Sequence, residues 1–97
     1  MTIRAVVKGV GHYLPERVVP NSEFEATLDT TDEWIRTRSG IERRHFAAEG
    51  ETTSDLAVKA ANAALKNAGL EADDIDAIVL ATSTPDLTFP SVATMVQ

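Results

Sequence analysis

The stretch Asp73-Asp74-Ile75-Asp76-Ala77-Ile78-Val79-Leu80-Ala81-Thr82 decides the fold class. Its apolar run, unbroken by polar alternation, suits a strand buried on both faces, as in a parallel sheet. Just before it lies a long helical pattern. Thr53 or Ser54 is placed to cap it, it runs to about Ala68, and Gly69 ends it. Asp55, Lys59, Asn62 and Lys66 make its polar stripe, with Asp55 and Lys59 spaced as an i,i+4 ion pair. The rest of the helix is dominated by alanine at 57, 60, 61, 63, 64 and 68, which permits close approach of another element. Helix followed by a fully apolar strand indicates an α/β layered fold.

Working outward, Ile3 to Val10 reads as a second strand, with β-branched residues at 3, 6, 7 and 10. Gly9 and Gly11 break it, and with His12-Tyr13-Leu14-Pro15 they form a loop. Gly9-Val10-Gly11 begins like a dinucleotide fingerprint, but Leu14 stands where the third glycine belongs, so the match fails. Asn21 is placed as the N-cap of a short helix to about Leu28, with Phe24 and Leu28 on one face. Thr30-x-x-Glu33 has the form of a capping box for a helix from about Thr31 to Arg38, stopped at Gly40. Ile41 to Ala48 is extended, and Glu49-Gly50-Glu51 is a turn. The three aspartates at 73, 74 and 76 have no histidine nearby and read as a solvated turn rather than a metal site. Ser83 to Pro90 is a loop, and Ser91 caps a final helical segment that uses Val92, Met95 and Val96.

Composition narrows the function. Ninety-seven residues with 43% hydrophobic content make one domain at most, or a piece of one. Fifteen acids against 9 bases give a net charge of −6, which argues against nucleic acid as the main partner. Yet four of the 9 bases, Arg36, Arg38, Arg43 and Arg44, crowd into one short stretch, and local potential decides what docks there. The sole tryptophan, Trp34, lies four residues before Arg38, so the two share a helix face. An aromatic plane beside a guanidinium is a recurrent platform for a nucleobase and its phosphates. With no cysteine, the chain has no disulfide, thiolate metal site or thiol nucleophile. No apolar run approaches the roughly 20 residues that span a bilayer. The N-terminus lacks the apolar core of a signal peptide, so a cytoplasmic setting is expected.

Taken in order, Gly9-Val10-Gly11-His12-Tyr13-Leu14-Pro15, the run Asp29-Thr30-Thr31-Asp32-Glu33-Trp34-Ile35, Arg38-Ser39-Gly40-Ile41-Glu42-Arg43-Arg44-His45, Ala81-Thr82-Ser83-Thr84-Pro85 and Phe89-Pro90-Ser91 resemble the β-ketoacyl-[acyl-carrier-protein] synthase III family. The resemblance covers all 97 residues and matches the N-terminal part of the family, within the first half of a thiolase-like fold. It implies a Claisen condensation that starts fatty acid synthesis. Acetyl-CoA loads a cysteine, and malonyl-acyl carrier protein decarboxylates and attacks the thioester. It implies acetyl-CoA as a substrate rather than a tightly bound cofactor, malonyl-acyl carrier protein as partner and a homodimer; that no nucleic-acid or membrane partner is expected follows from the charge balance and the lack of a long apolar run. The family's Cys–His–Asn set falls outside these residues, so no catalytic residue is expected here, and His12 and His45 match no catalytic motif.

The resemblance also assigns roles. Trp34 matches the residue that stacks on adenine, Thr30 the one whose hydroxyl bonds the adenine edge, and Arg38 the arginine near the nucleotide and pyrophosphate. Phe89 matches a phenylalanine that reaches across the dimer interface to the partner's acyl pocket. Arg36, Arg43 and Arg44 are candidates for meeting the acidic carrier protein. Two other readings stay open: a related condensing enzyme with another acyl-CoA, as in polyketide priming, and a stand-alone binding module without catalysis.

Overall fold

A computed structural model describes residues 2–97. They form a mixed α/β structure that divides into two compact units: Leu14–Gly50, and the flanking residues up to Tyr13 and from Glu51 to Gln97.

The Leu14–Gly50 unit is built on a two-stranded antiparallel ribbon, β1 (Arg17–Pro20) and β2 (Arg43–Phe46), with Arg17 opposite Phe46 and Val19 opposite Arg44. Val19 is the apolar centre, 1% exposed. Pro20 ends β1, as a residue without an N–H to donate must at a ladder's end. It is also the N-cap of α1 (Asn21–Glu25), the position expected for Asn21. Asn21 instead enters the helix with its side chain buried. Its amide donates to Asp32 Oδ1 at 2.9 Å and to the Ile41 carbonyl at 2.7 Å. Tertiary partners for the amide nitrogen outcompete the local cap, while Oδ1 is buried with no partner among the described residues. The helix stops at Glu25 rather than Leu28, where the N–H groups of Thr27 and Leu28 both turn back to the Phe24 carbonyl.

Helix α2 (Asp32–Ser39) runs close to its expected limits, and Gly40 closes it at φ 74°. A left-handed residue there accepts glycine without the Cβ clash. The cap differs from expectation. Thr31, not Thr30, sits at the N-cap, and its Oγ1 accepts from the Trp34 N–H at 3.1 Å. In that register the third helical residue is Trp34, so the Thr30–Glu33 box does not form.

The other unit centres on α3 (Thr53–Ala68), with α4 (Val92–Val96) packed against it through the buried Val92. Thr52 caps α3, one residue before the expected position, in a capping box with Asp55: the Thr52 N–H donates to Asp55 Oδ2 at 3.0 Å. Asp55 is thereby drawn to the helix start, and Lys59 pairs with Glu51 at 3.4 Å instead of with Asp55. Gly69 ends α3 in the left-handed region, φ 70°. The aspartates near 74 form a 3₁₀ turn, Ala72–Asp74, in which Asp74 Oδ2 accepts from the Glu71 N–H at 2.9 Å.

The two segments expected to be the sheet, Ile3–Val10 and Ala77–Thr82, join no ladder among the described residues. Val79, expected to be buried on both faces, is 98% exposed. A strand is stable only with neighbours to satisfy its backbone, and none of the described segments lies alongside these two in a ladder. Val10 donates its N–H to Asn67 Oδ1 of α3 at 3.1 Å. Gly9 and Gly11 lie against the alanine face of that helix. A Cβ on Gly9 would come within 2.7 Å of Ala68 Cβ, and one on Gly11 within 2.2 Å of the Ala64 nitrogen. These glycines are therefore close-packing residues as well as strand breakers. Among the described residues no helix is long and apolar enough to cross a membrane.

Candidate functional site

The Leu14–Gly50 unit carries a recess of about 520 Å³ lined by Leu28, Asp29, Thr30, Thr31 and Trp34. Its wall is the start of α2. Trp34 projects from the first turn, 56% exposed, and one turn later Arg38 lays its guanidinium over the indole, Cζ 5.3 Å from the ring centroid. The helix spacing read from sequence brings these two together as expected. A cation over an indole face is attractive electrostatically and holds the ring in one orientation.

Thr30 stands just outside the helix. Because Thr31 does the capping, the Thr30 hydroxyl is left over. Its Oγ1 is buried and has no hydrogen-bond partner among the described residues. A buried hydroxyl without a partner costs about 1–3 kcal/mol, and Thr30 also lines the recess. The backbone is fixed nearby by the Thr30 N–H donating to the Leu28 carbonyl at 2.9 Å.

Several neighbouring charges are already engaged. Arg36 Nε donates to Asp32 Oδ2 at 2.9 Å, and Asp32 also accepts from Asn21. The Asn21 amide first, and Arg36 second, hold the Asp32 carboxyl below its usual range. The bond to Asp32 raises Arg36 in turn. Arg44 stacks on Phe24, Cζ 4.7 Å from the ring centroid, and Phe24 meets Phe46 edge-on at 6.1 Å. Arg17 covers Phe46 at 5.6 Å and pairs with Glu23. Within the basic stretch, Arg38 is the arginine whose guanidinium caps the recess aromatic and enters no ion pair among the described residues. His45 is half-buried, and its Nδ1–H donates to the Pro15 carbonyl at 2.7 Å, a structural tie.

Phe89, the fourth expected site residue, belongs to the other unit and is 86% exposed. Its loop is fastened to α3. The Ser54 N–H and hydroxyl donate to the two carboxylate oxygens of Asp86, at 2.8 and 2.6 Å. Those bonds, the hydroxyl first, hold the Asp86 carboxyl below its usual range. This tie was not expected from sequence. The available signal was an aspartate in a loop that could serve an exposed helix N-terminus, but the two residues are 32 positions apart. A second unforeseen cluster joins Lys59, Tyr13 and Glu51, with Lys59 Nζ 4.5 Å from the Tyr13 ring centroid. The Tyr13 hydroxyl is the main cause of the raised Lys59.

No protein-family model matches the chain. Individual relatives do. A β-ketoacyl-[acyl-carrier-protein] synthase III of Rhodobacter capsulatus is 82% identical over 97 residues, which is 100% of this chain and 30% of that protein. The synthase III of Ruegeria pomeroyi shows the same identity and coverage. Among solved structures, a synthase III from Thermus thermophilus superposes with a TM-score of 0.86 at 49% identity, covering 96% of this chain and 29% of that one. The priming β-ketosynthase of the R1128 polyketide pathway superposes equally well, TM-score 0.86, at 39% identity, covering 93% of this chain and 27% of that one. The sequence match covers the whole chain, and the structural matches cover more than nine-tenths of it. The chain belongs to the β-ketoacyl-[acyl-carrier-protein] synthase III family, of whose matched members it spans about 30% of the length.

Proposed function

We propose that this chain supplies the CoA-binding corner and part of the dimer interface of a synthase that condenses acetyl-CoA with malonyl-acyl carrier protein. The observation that carries the reading is the exposed Trp34 indole under the Arg38 guanidinium, at a recess that Thr30 also lines. An adenine stacked on Trp34 brings its ring nitrogens and amino group to the Thr30 side of the recess, where the hydroxyl must turn outward to bond them. Arg38 offers a charge to the phosphates that follow. The acetyl-CoA is a substrate, held by the remote part of its structure so that binding energy positions the thioester elsewhere.

The chemistry lies with residues outside this chain, which has no cysteine. A thiolate attacks the acetyl thioester and CoA thiolate leaves. Malonyl then loses CO₂, and the electron pair of the broken C–C bond attacks the acyl carbonyl as the cysteine sulfur leaves. The reading includes a cytoplasmic homodimer in which Phe89 reaches the acyl pocket of the partner subunit. The exposure of that ring supports it.

The test is an assay of the full-length protein with acetyl-CoA and malonyl-acyl carrier protein. Formation of the acetoacetyl product with release of CO₂ supports the reading, and absence of condensation overturns it. A second reading, condensation primed by another acyl-CoA, is favoured by the likeness to the polyketide-priming synthase. A higher kcat/KM with a longer acyl-CoA than with acetyl-CoA would select it.

A further inference from the structure

We infer that Asp86 is a positioning residue for acyl-chain selection, acting through Ser54 to fix the loop that presents Phe89. The inference rests on the reading above, in which Phe89 reaches the acyl pocket of a partner subunit.

The geometry is that of a latch. Ser54 is buried at the start of α3 and gives both its N–H and its hydroxyl to the Asp86 carboxylate, at 2.8 and 2.6 Å. The preceding residue, Thr53, donates its hydroxyl to the Thr84 carbonyl. The loop is therefore tied to one helix end at two points just before Phe89. Just after it, Ser91 caps α4 by accepting from the Thr94 N–H at 3.3 Å. Phe89 hangs on a short span between these anchors. At 86% exposure the ring is placed by its loop rather than by packing of its own. A span so short leaves few backbone conformations once both ends are held. Releasing one end lets the ring move, and a ring that bounds an acyl pocket sets the chain length admitted.

The experiment measures kcat/KM for acetyl-CoA and for butyryl-CoA in the full-length protein, and takes their ratio. Phe89→Ala is expected to lower the ratio, favouring the longer chain. Asp86→Ala is expected to lower it by at least about threefold, short of the roughly 10–200-fold that one methylene commands in an apolar pocket. Asp86→Asn keeps an acceptor for the Ser54 N–H and a donor for its oxygen, so it is expected to restore the ratio. Ser54→Ala, which leaves the N–H bond, covers the case of an unfolded Asp86→Ala, and is expected to shift the ratio in the same direction. The double variant Asp86→Ala/Phe89→Ala is expected to match Phe89→Ala alone. A ratio moved by Phe89→Ala but unmoved by Asp86→Ala and Ser54→Ala overturns the latch while sparing the assignment of Phe89. Fully additive shifts in the double variant also overturn it. A ratio unmoved by Phe89→Ala removes the assignment of Phe89 and the latch with it.

Discussion

Arg38 lies over the face of Trp34 with its guanidinium carbon 5.3 Å from the ring centroid, one helical turn away. In the proposed function the pair meets two chemistries in sequence, a flat ring and the negative charge attached to it. That division predicts different losses. Arg38→Ala should weaken acetyl-CoA binding in a salt-dependent way, whereas Trp34→Ala should weaken it nearly equally at low and high salt. KM for acetyl-CoA measured across ionic strength distinguishes the two, and identical salt slopes would contradict the assignment.

Thr30 and Thr31 carry opposite predictions although they are neighbours. Thr31→Ala removes the cap on the Trp34 N–H and should destabilise the protein by about 1 kcal/mol. Thr30→Val removes a buried hydroxyl that has no partner among the described residues, so stability should hold or rise slightly while KM for acetyl-CoA increases. Urea unfolding and steady-state kinetics on both variants decide it. A marked loss of stability in Thr30→Val would return Thr30 to a purely structural role.

Asn21 joins the end of β1 to the start of α2 and to the chain entering β2 through its bonds to Asp32 and Ile41. Asn21→Ala leaves the Ile41 carbonyl and the Asp32 carboxylate each one donor short. The expected cost is about 2–3 kcal/mol, read as a fall in the urea midpoint. A change below half a kcal/mol, on the order of a surface substitution, would contradict it.

Carboxylates set the acid limit. Asp32, Asp55 and Asp86 all titrate below the ordinary value of 3.8, Asp55 chiefly because the Thr52 N–H bonds it. A depressed carboxylate contributes stability in full above its unfolded value and loses it as pH falls through the folded one. Acid unfolding is therefore expected below about pH 4, by circular dichroism, and should move upward in Asp86→Ala. Lys59 has the opposite sign. Its value lies above the ordinary 10.5, so its contribution is complete below that pH and fades as pH rises beyond it. A midpoint of acid unfolding insensitive to Asp86→Ala would contradict the account.

Gly11 tests the close approach to α3. A methyl placed 2.2 Å from the Ala64 nitrogen meets helix backbone, which cannot swing aside. Gly11→Ala should cost about 1–3 kcal/mol in thermal or urea unfolding, as overpacking does. An unchanged midpoint would show that the segment does not hold this position.

Helix ends were the most legible part of the sequence, because a cap is a local event. Gly40 and Gly69 close α2 and α3 where the reading placed them, and the N-caps are displaced by a single residue. The sheet was the least legible. Strand propensity pointed to Ile3–Val10 and Ala77–Thr82, but pairing is a tertiary matter. The observed ribbon uses Arg43–Phe46, inside the stretch Ile41–Ala48 read as extended, and Arg17–Pro20, which the sequence reading does not mark as a strand. Their apolar side is supplied by Val19, the two phenylalanines and the stems of arginines laid over the rings, which the periodicity of apolar letters does not reveal. In the site, helical spacing alone placed Arg38 on Trp34. Sequence spacing makes Thr30 half of a capping box, and only the shift of the cap to Thr31 leaves its hydroxyl without a partner among the described residues. The Asp86–Ser54 tie depends on folding and leaves no local signature.

The central claim is that the Trp34 corner grips the adenine end of acetyl-CoA. Its most direct test compares acetyl-CoA with acetyl-pantetheine, which has the same thioester and no nucleotide, in the full-length protein and its Trp34→Ala variant. Loss of one base stack, about 1–3 kcal/mol, should raise KM for acetyl-CoA by roughly 5–150-fold with little change in kcat, and leave acetyl-pantetheine kinetics as they were. Equal losses on both substrates, or none on acetyl-CoA, would contradict the account.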